Sequence, residues 1–223
     1  GNIINSHLDN EESEYKCAYT NMLLLVEVLE QSPYWQDFLD EELGLYIYYG
    51  DNQRAGRDIH DTKLGGNLIL KQCFDFTSSN DFQIRKKIPP FFLFEKDSNN
   101  GVKFSGLLVP GYNGINQKDW LTAVWAKRSE GGRFQNYKAM FTVLDTSTGS
   151  EAFPNDASID LRWLEDLKNG KGYDSIYAPN SWKKWIEKSL YIPLMVKCDS
   201  LVRTKIEQLP SKKEQVEMLK FIL

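Results

Sequence analysis

The 223-residue sequence predicts an α+β chain, a curved, mainly antiparallel β-barrel or sheet flanked by helices at both ends. Three observations support this expectation. Leu121, Ala123 and Trp125 alternate with other residues, Ser129-Glu130-Gly131-Gly132 turns the chain, and Tyr137, Ala139, Phe141 and Val143 alternate on the way back, the period-two pattern of a hairpin. A second hairpin signal, Ser98-Asn99-Asn100-Gly101, puts Asn-Gly between two apolar runs. Helical spacing then dominates the C-terminal third, at 159–168, 181–188 and 211–222.

The elements follow in chain order. Ser13 is a candidate cap for a helix over 14–31, with Cys17, Met22, Leu25, Val26 and Leu29 as its buried stripe and Pro33 beyond its end. Residues 45–49 read as an aromatic strand, 50–66 as a polar loop and 67–74 as a short helix or strand. Pro89-Pro90 precedes an apolar strand at 91–95, and the Asn-Gly turn leads into another at 102–109. On the last strand, Phe134, Asn136 and Lys138 must face away from Tyr137 and Ala139. Trp163, Trp182 and Trp185 on the later helices read as core. With no repeat, low-complexity tract or long linker, residues 1–223 are expected to form one domain: an acidic helical head in 1–43, a core over about 34–194 and a helical segment in 195–223.

Composition excludes several classes. Cys17, Cys73 and Cys198 are an odd, dispersed set without a C-x-x-C pair, which points to a reducing setting and removes a paired-cysteine zinc site. No apolar run approaches membrane-spanning length, the start is no signal peptide, and the missing first methionine suggests a piece of a longer protein. The net charge of −4 is unevenly spread. Residues 1–43 hold ten acids against Lys16 alone, whereas the remainder has 26 cations against 21 acids. Arg85-Lys86-Lys87, Lys127-Arg128 with Arg133 and Lys138, and Lys183-Lys184 could meet phosphates or simply form solvated faces.

Catalytic patterns are missing from the sequence. The acid-x-Lys triplets, Glu14-Tyr15-Lys16, Asp61-Thr62-Lys63 and Asp166-Leu167-Lys168, fall on helices or a loop rather than on the strand a metal-dependent nuclease uses. His7 and His60 are too few for a histidine-metal nuclease, and there is no G-x-S-x-G elbow or Walker loop. No catalytic role, metal or cofactor is expected of this chain.

The most informative stretch is Tyr46-Ile47-Tyr48-Tyr49-Gly50-Asp51-Asn52, continuing through Arg57-Asp58-Ile59-His60-Asp61 to Gly65-Gly66-Asn67. An aromatic strand that feeds a loop rich in glycine and acids is one way to build a pocket for a flat polar ring, such as a nucleobase taken out of its helix. A strand followed by a surface loop is the other reading, with Asn67 a helix cap, Asp58 and Asp61 turn acids and His60 a surface residue.

Tyr46-Ile47-Tyr48-Tyr49-Gly50, Gly56-Arg57-Asp58 and Asn67-Leu68 resemble the core motif of SRA domains, readers of modified cytosine in DNA. The order of Gly106-Leu107-Leu108-Val109-Pro110-Gly111, Arg133-Phe134-Gln135-Asn136-Tyr137, Trp182 with Trp185, and Tyr191-Ile192-Pro193-Leu194 is similar to the SRA-like N-terminal domain of AspBHI-type modification-dependent restriction endonucleases. That resemblance implies a prokaryotic, cytoplasmic domain that grips double-stranded DNA and flips 5-methylcytosine or 5-hydroxymethylcytosine into a pocket, with a nuclease or motor domain elsewhere in the parent protein. Tyr48 would be the stacking wall and Tyr49 its neighbour at the base or backbone. The carboxylate that SRA domains supply from before this strand has no obvious match here, so Asp51 stands in for it, and Asn52 and Asn67 read the base edge or shape the loop. Arg57, Arg85, Lys86, Lys87, Arg133, Gln135 and Asn136 are the candidate DNA contacts. Two alternatives remain open: a reader of another mark, such as a glucosylated base or a phosphorothioate backbone, and a protein-interaction module that does not bind DNA.

Overall fold

A computed structural model describes residues 2–4, 23–27, 34–62, 65–96 and 102–194. The strands in chain order are β1 (Asn2–Ile4), β2 (Leu23–Glu27), β3 (Phe38–Asp40), β4 (Leu45–Tyr49), β5 (Phe91–Lys96), β6 (Val102–Pro110), β7 (Leu121–Lys127) and β8 (Arg133–Leu144). Helices α1 (Gly66–Thr77) and α2 (Phe82–Arg85) lie between β4 and β5, and α3 (Ile159–Lys168) and α4 (Asn180–Lys188) follow β8. One sheet runs β1-β2-β5-β6-β8-β4-β3, with β7 paired to β8 off this path. Every pairing is antiparallel except β2 with β5. The α+β, mainly antiparallel expectation therefore holds, as an open sheet rather than a closed barrel.

Strand β8 organises the sheet because it is long enough to serve three partners. Along one edge β4 pairs with it, Tyr48 opposite Ala139 and Tyr46 opposite Phe141. Along the other, β6 covers Phe141 to Leu144 and β7 covers Arg133 to Ala139, so two strands share one edge in succession. The turn between β7 and β8 closes through the Arg128 N–H donating to the Gly132 carbonyl at 3.1 Å, with Gly131 and Gly132 at φ of 91° and 87°, a region that favours glycine.

Alternation sends Tyr46, Tyr48, Tyr137, Ala139 and Phe141 to the face on which the helices pack. Phe141 sits at its middle, ring centroids 5.3 Å from Phe74 of α1 and 5.1 Å from Phe91 of β5. Ile69, Leu70, Cys73 and Phe74 recur at helical spacing and are buried, which is why 67–74 is a helix and not a strand. Trp163, Trp182 and Trp185 are each at most 1% exposed, as core residues, and Trp163 meets Trp182 edge-on at 4.7 Å.

One expectation is overturned. Leu23–Glu27 is not part of a helix but a strand, running parallel to β5 with Leu25 opposite Leu93. A short continuous apolar run fits a helix stripe and a buried parallel strand equally well by periodicity, and the apolar edge of β5 decides the outcome. Helices consequently do not bracket the described fold at its N-terminal end; they follow β4 and β8. The other residues of the expected stripe, Cys17, Met22 and Leu29, lie outside the described residues, as do the Asn-Gly turn and the expected helix at 211–222.

Phe141 supplies a stability test. Phe141→Ala removes a ring held between a helix and two strands and should lower stability by about 3–5 kcal/mol, read as a fall in the urea midpoint at unchanged m-value.

Candidate nucleic-acid interface

The loop after β4 is fixed by side-chain amides. The Gly50 N–H donates to the Tyr137 carbonyl at 2.9 Å, one rung beyond the last paired residue of β4. From there the chain leaves the sheet, and Asn52, Asn67 and Asn136, each at most 2% exposed, hold it. Asn67 Nδ2 donates to the Ile59 carbonyl at 2.8 Å and to Asn136 Oδ1 at 3.0 Å, while its Oδ1 accepts from the Asp51 N–H at 3.2 Å. Asn136 Nδ2 returns to the Gly50 carbonyl, and Asn52 Nδ2 reaches the Gln135 carbonyl at 2.7 Å. A Cβ on Gly50 would collide with both the Asn67 and Asn136 amides, so this glycine is required by close approach. Asn52, Asn67 and Asn136 thus have amides engaged within the protein, which brings the first two into loop shaping and ties the third to the same network.

Three buried polar atoms lie where this loop leaves the sheet: Tyr48 Oη, on β4, has no hydrogen-bond partner, and Asp51 Oδ1 and Thr62 Oγ1, on the loop, have none beyond their own mutual contact. Burial raises the Asp51 pKa above the ordinary carboxylate value, although the nearby Thr62 hydroxyl biases it back toward the charged form. The Tyr48 hydroxyl is pushed well up, first by burial and then by the charges of Asp51 and Asp37, and stays a neutral donor. Tyr48 is 1% exposed and its ring belongs to the core, so it presents a hydroxyl rather than an open stacking face in this conformation. Tyr49 points to the other face of the sheet and stacks on Trp35, centroids 5.7 Å apart with planes 7° from parallel.

Asp37 was not singled out from the sequence. It lies on the segment before β4, where its Oδ1 accepts from the Tyr49 N–H at 2.7 Å and its Oδ2 from Tyr46 Oη at 3.2 Å. Burial raises its pKa despite those two bonds. The cross-strand register of β3 with β4 is the signal that finds it, since Phe38 pairs with Ile47 and sets Asp37 level with Tyr48. His60 closes the other side of the loop, Nε2 3.0 Å from Tyr137 Oη and Nδ1 3.5 Å from Asp58.

The basic candidates separate. Arg85 is corrected: it is 6% exposed, and its guanidinium donates to Ser189 Oγ and the Trp185 carbonyl at the end of α4, where it pins α2 to α4 out of reach of a phosphate. Lys86 is paired with Asp174 at 3.1 Å and lies 5.0 Å over the Tyr173 ring, with Lys87 on the surface beside it. Arg57 is exposed and paired with Asp61 at 3.1 Å. Arg133 is exposed at the start of β8, on the same face as half-buried Gln135, while Asn136 faces the other way, as alternation requires. Trp125 is 62% exposed opposite Gln135 and lines a shallow concavity of about 310 Å³ with Ala126, Lys127 and Arg133. Among the described residues, no group of three or more His, Cys, Asp or Glu is placed to hold a metal, and no helix is long and apolar enough to cross a membrane.

Two outcomes follow from the loop. Gly50→Ala should displace the Asn67 and Asn136 amides and lower the melting temperature, read alongside Gly56→Ala as a control for left-handed strain in open space. Because the folded chain binds the Asp37 proton more tightly than the unfolded one, this group favours folding at low pH, and the contribution is lost as pH rises through the raised value. Asp37→Asn lacks that component, so its stability relative to the parent should improve as pH rises from the ordinary carboxylate range through the raised Asp37 value and level off above it, read in urea titrations.

The profile of the family described as restriction endonuclease AspBHI N-terminal matches residues 9–197. Among solved structures, the DNA recognition domain of the cytosine modification-dependent restriction endonuclease LpnPI is similar with a TM-score of 0.69 at 31% identity, covering 90% of this chain and 80% of that one. The DNA modification-dependent restriction endonuclease AspBHI gives 0.65 at 37% identity over 81% and 76%. The MspJI restriction endonuclease in complex with a 27-mer oligonucleotide, at 19% identity and a TM-score of 0.60 over 91% of this chain and 46% of that one, shares the fold alone. No curated protein matches the sequence. With most of its length matched, the chain belongs to the restriction endonuclease AspBHI N-terminal family and is homologous to the DNA recognition domains of modification-dependent restriction endonucleases.

Proposed function

We propose that the chain reads 5-methylcytosine or 5-hydroxymethylcytosine in double-stranded DNA by receiving the base, swung out of its duplex, between the 50–62 loop and β8, and that it serves as the specificity domain of a restriction enzyme whose nuclease lies elsewhere. The observation that carries this reading is the trio of buried polar atoms short of partners, Tyr48 Oη on β4 with Asp51 Oδ1 and Thr62 Oγ1 on the loop, the last two offered little but each other. Buried polar groups are ordinarily satisfied, and such a set where the strand meets its loop suits a site whose partners arrive with a ligand. Their chemistry suits the pairing edge of cytosine. A carboxylate accepts from the N4 amino group and repels the carbonyl that thymine carries there, while two hydroxyls can donate to the remaining acceptors.

On this reading each polar group has a part. Asp51 is the amino-group acceptor, and the Tyr48 and Thr62 hydroxyls are donors. Asp37 is a second carboxylate beside them that helps keep Tyr48 protonated. Asn52 and Asn67 set the loop, and Tyr49, braced by Trp35, lies at its base. Extruding a base costs a few kcal/mol, and a buried methyl returns only about 0.8 kcal/mol, so phosphate contacts must provide the remaining affinity. Arg57, Lys86, Lys87, Arg133 and Gln135 are the surface groups proposed for them.

A binding titration tests the reading, using duplexes that differ in one cytosine methyl, at two salt concentrations. The parent chain should prefer the marked duplex, and Asp51→Ala should bind it about tenfold more weakly, equivalent to about 1.4 kcal/mol, and lose that preference. Tyr48→Phe, which keeps the core ring, should reduce it less. A fluorescent base analogue at the mark should brighten on binding. Equal affinity of the parent for both duplexes, or full selectivity in the Asp51 variant, would defeat the proposal.

A further inference from the structure

Beyond Tyr137 the face of β8 that carries Ala139 and Phe141 runs out into the exposed part of the β7–β8 hairpin, where it bears Trp125, Lys127, Arg133 and Gln135, and none of the first three has packing or charge partners among the described residues that explain it. Trp125 is 62% exposed, although the strand that carries it is otherwise laid against β8. Lys127 and Arg133 are directly opposite each other in the ladder, an arrangement in which like charges repel across about 5 Å. Among the described residues neither cation has an acidic partner, and the acid of the hairpin, Glu130, stands out in the turn. An anion laid across Lys127 and Arg133 would convert their repulsion into a shared attraction. The concavity between them and Trp125 gives such a ligand a flat apolar wall as well as charge.

This face is continuous with the loop of the candidate pocket. Asn52 donates to the carbonyl of Gln135, the residue opposite Trp125. At the tip, a Cβ built on Gly132 would lie 2.9 Å from the Ala55 Cβ, so the loop runs alongside the hairpin to its turn. The exposed side chains of the hairpin therefore project beside the loop on which the proposed pocket is built.

We propose that the hairpin face is a second contact for duplex DNA, gripping the backbone beside the pocket regardless of the mark: Lys127 and Arg133 meet neighbouring phosphates of one strand, and Trp125 packs on the adjoining sugar or base. The inference rests on the reading of the chain as a reader of duplex DNA, but not on the modified-base pocket. Phosphate contacts position a protein and carry no sequence information, so their loss should weaken all duplexes alike.

The test uses the full chain with the double variant Lys127→Gln/Arg133→Gln and, separately, Trp125→Ala, each checked for an unchanged thermal melt. Affinities are measured for marked and unmarked duplexes of one sequence across a salt series. The double variant should bind both duplexes roughly tenfold more weakly and flatten the plot of log affinity against log salt by about two units, with the marked-to-unmarked ratio as in the parent. Trp125→Ala should weaken both equally without changing the slope. An unchanged slope and affinity in the double variant would overturn the proposal, as would a loss confined to the marked duplex. If the parent shows no preference for the mark yet the double variant still loses affinity and slope, the pocket reading fails while the hairpin contact stands.

Discussion

The constraint on which the rest of the site depends is the burial of three asparagine side chains in a place with almost no water. An amide has two donors and an acceptor with two lone pairs, and each left unmet in a core is expensive. Asn67 and Asn136 solve this by meeting each other and the loop backbone, and Gly50 lets them come close enough to do so. The loop therefore has one low-energy course. Everything placed on it, Asp51 and Thr62 included, inherits a fixed position relative to β8.

That fixed course also explains why polar atoms can remain unpaired beside it. A flexible loop would relax until Asp51 and Tyr48 found partners, whereas one braced at both ends holds them apart in a low-dielectric setting. The same burial raises the pKa of Asp37, Tyr48 and Asp51 together. Both carboxyls are thereby less acidic than free ones, and the phenol stays protonated.

Much of this was legible in the sequence, and the exceptions have physical causes. The β7–β8 hairpin could be read because alternation and a glycine turn agree, and the Tyr46-to-Asn67 stretch because aromatic and turn residues are concentrated there. Leu23–Glu27 was misread because a bare apolar run does not declare its period, and only the parallel edge of β5 makes it a strand. Arg85 was misread because a triplet of cations says nothing about which one a helix end will claim. Asp37 and Trp125 are invisible to local pattern for opposite reasons: one acid among ten gives no hint that it is tucked against β4, and an aromatic at an alternating position gives no hint that its face of the strand is open. Both depend on register between distant segments, which local patterns do not encode.

The forked edge of β8 has a mechanical meaning. Where β6 departs and β7 takes over, the sheet narrows, and beyond Ala139 the strand is held by the hairpin, by the asparagine-braced loop and by Phe134, whose buried ring meets Tyr34 and Trp35. The hairpin is thus an arm rooted in the aromatic core at Phe141 and reaching to the turn at Gly131. An arm of this build holds whatever its exposed side chains meet at a set distance from the asparagine-braced loop that runs beside it.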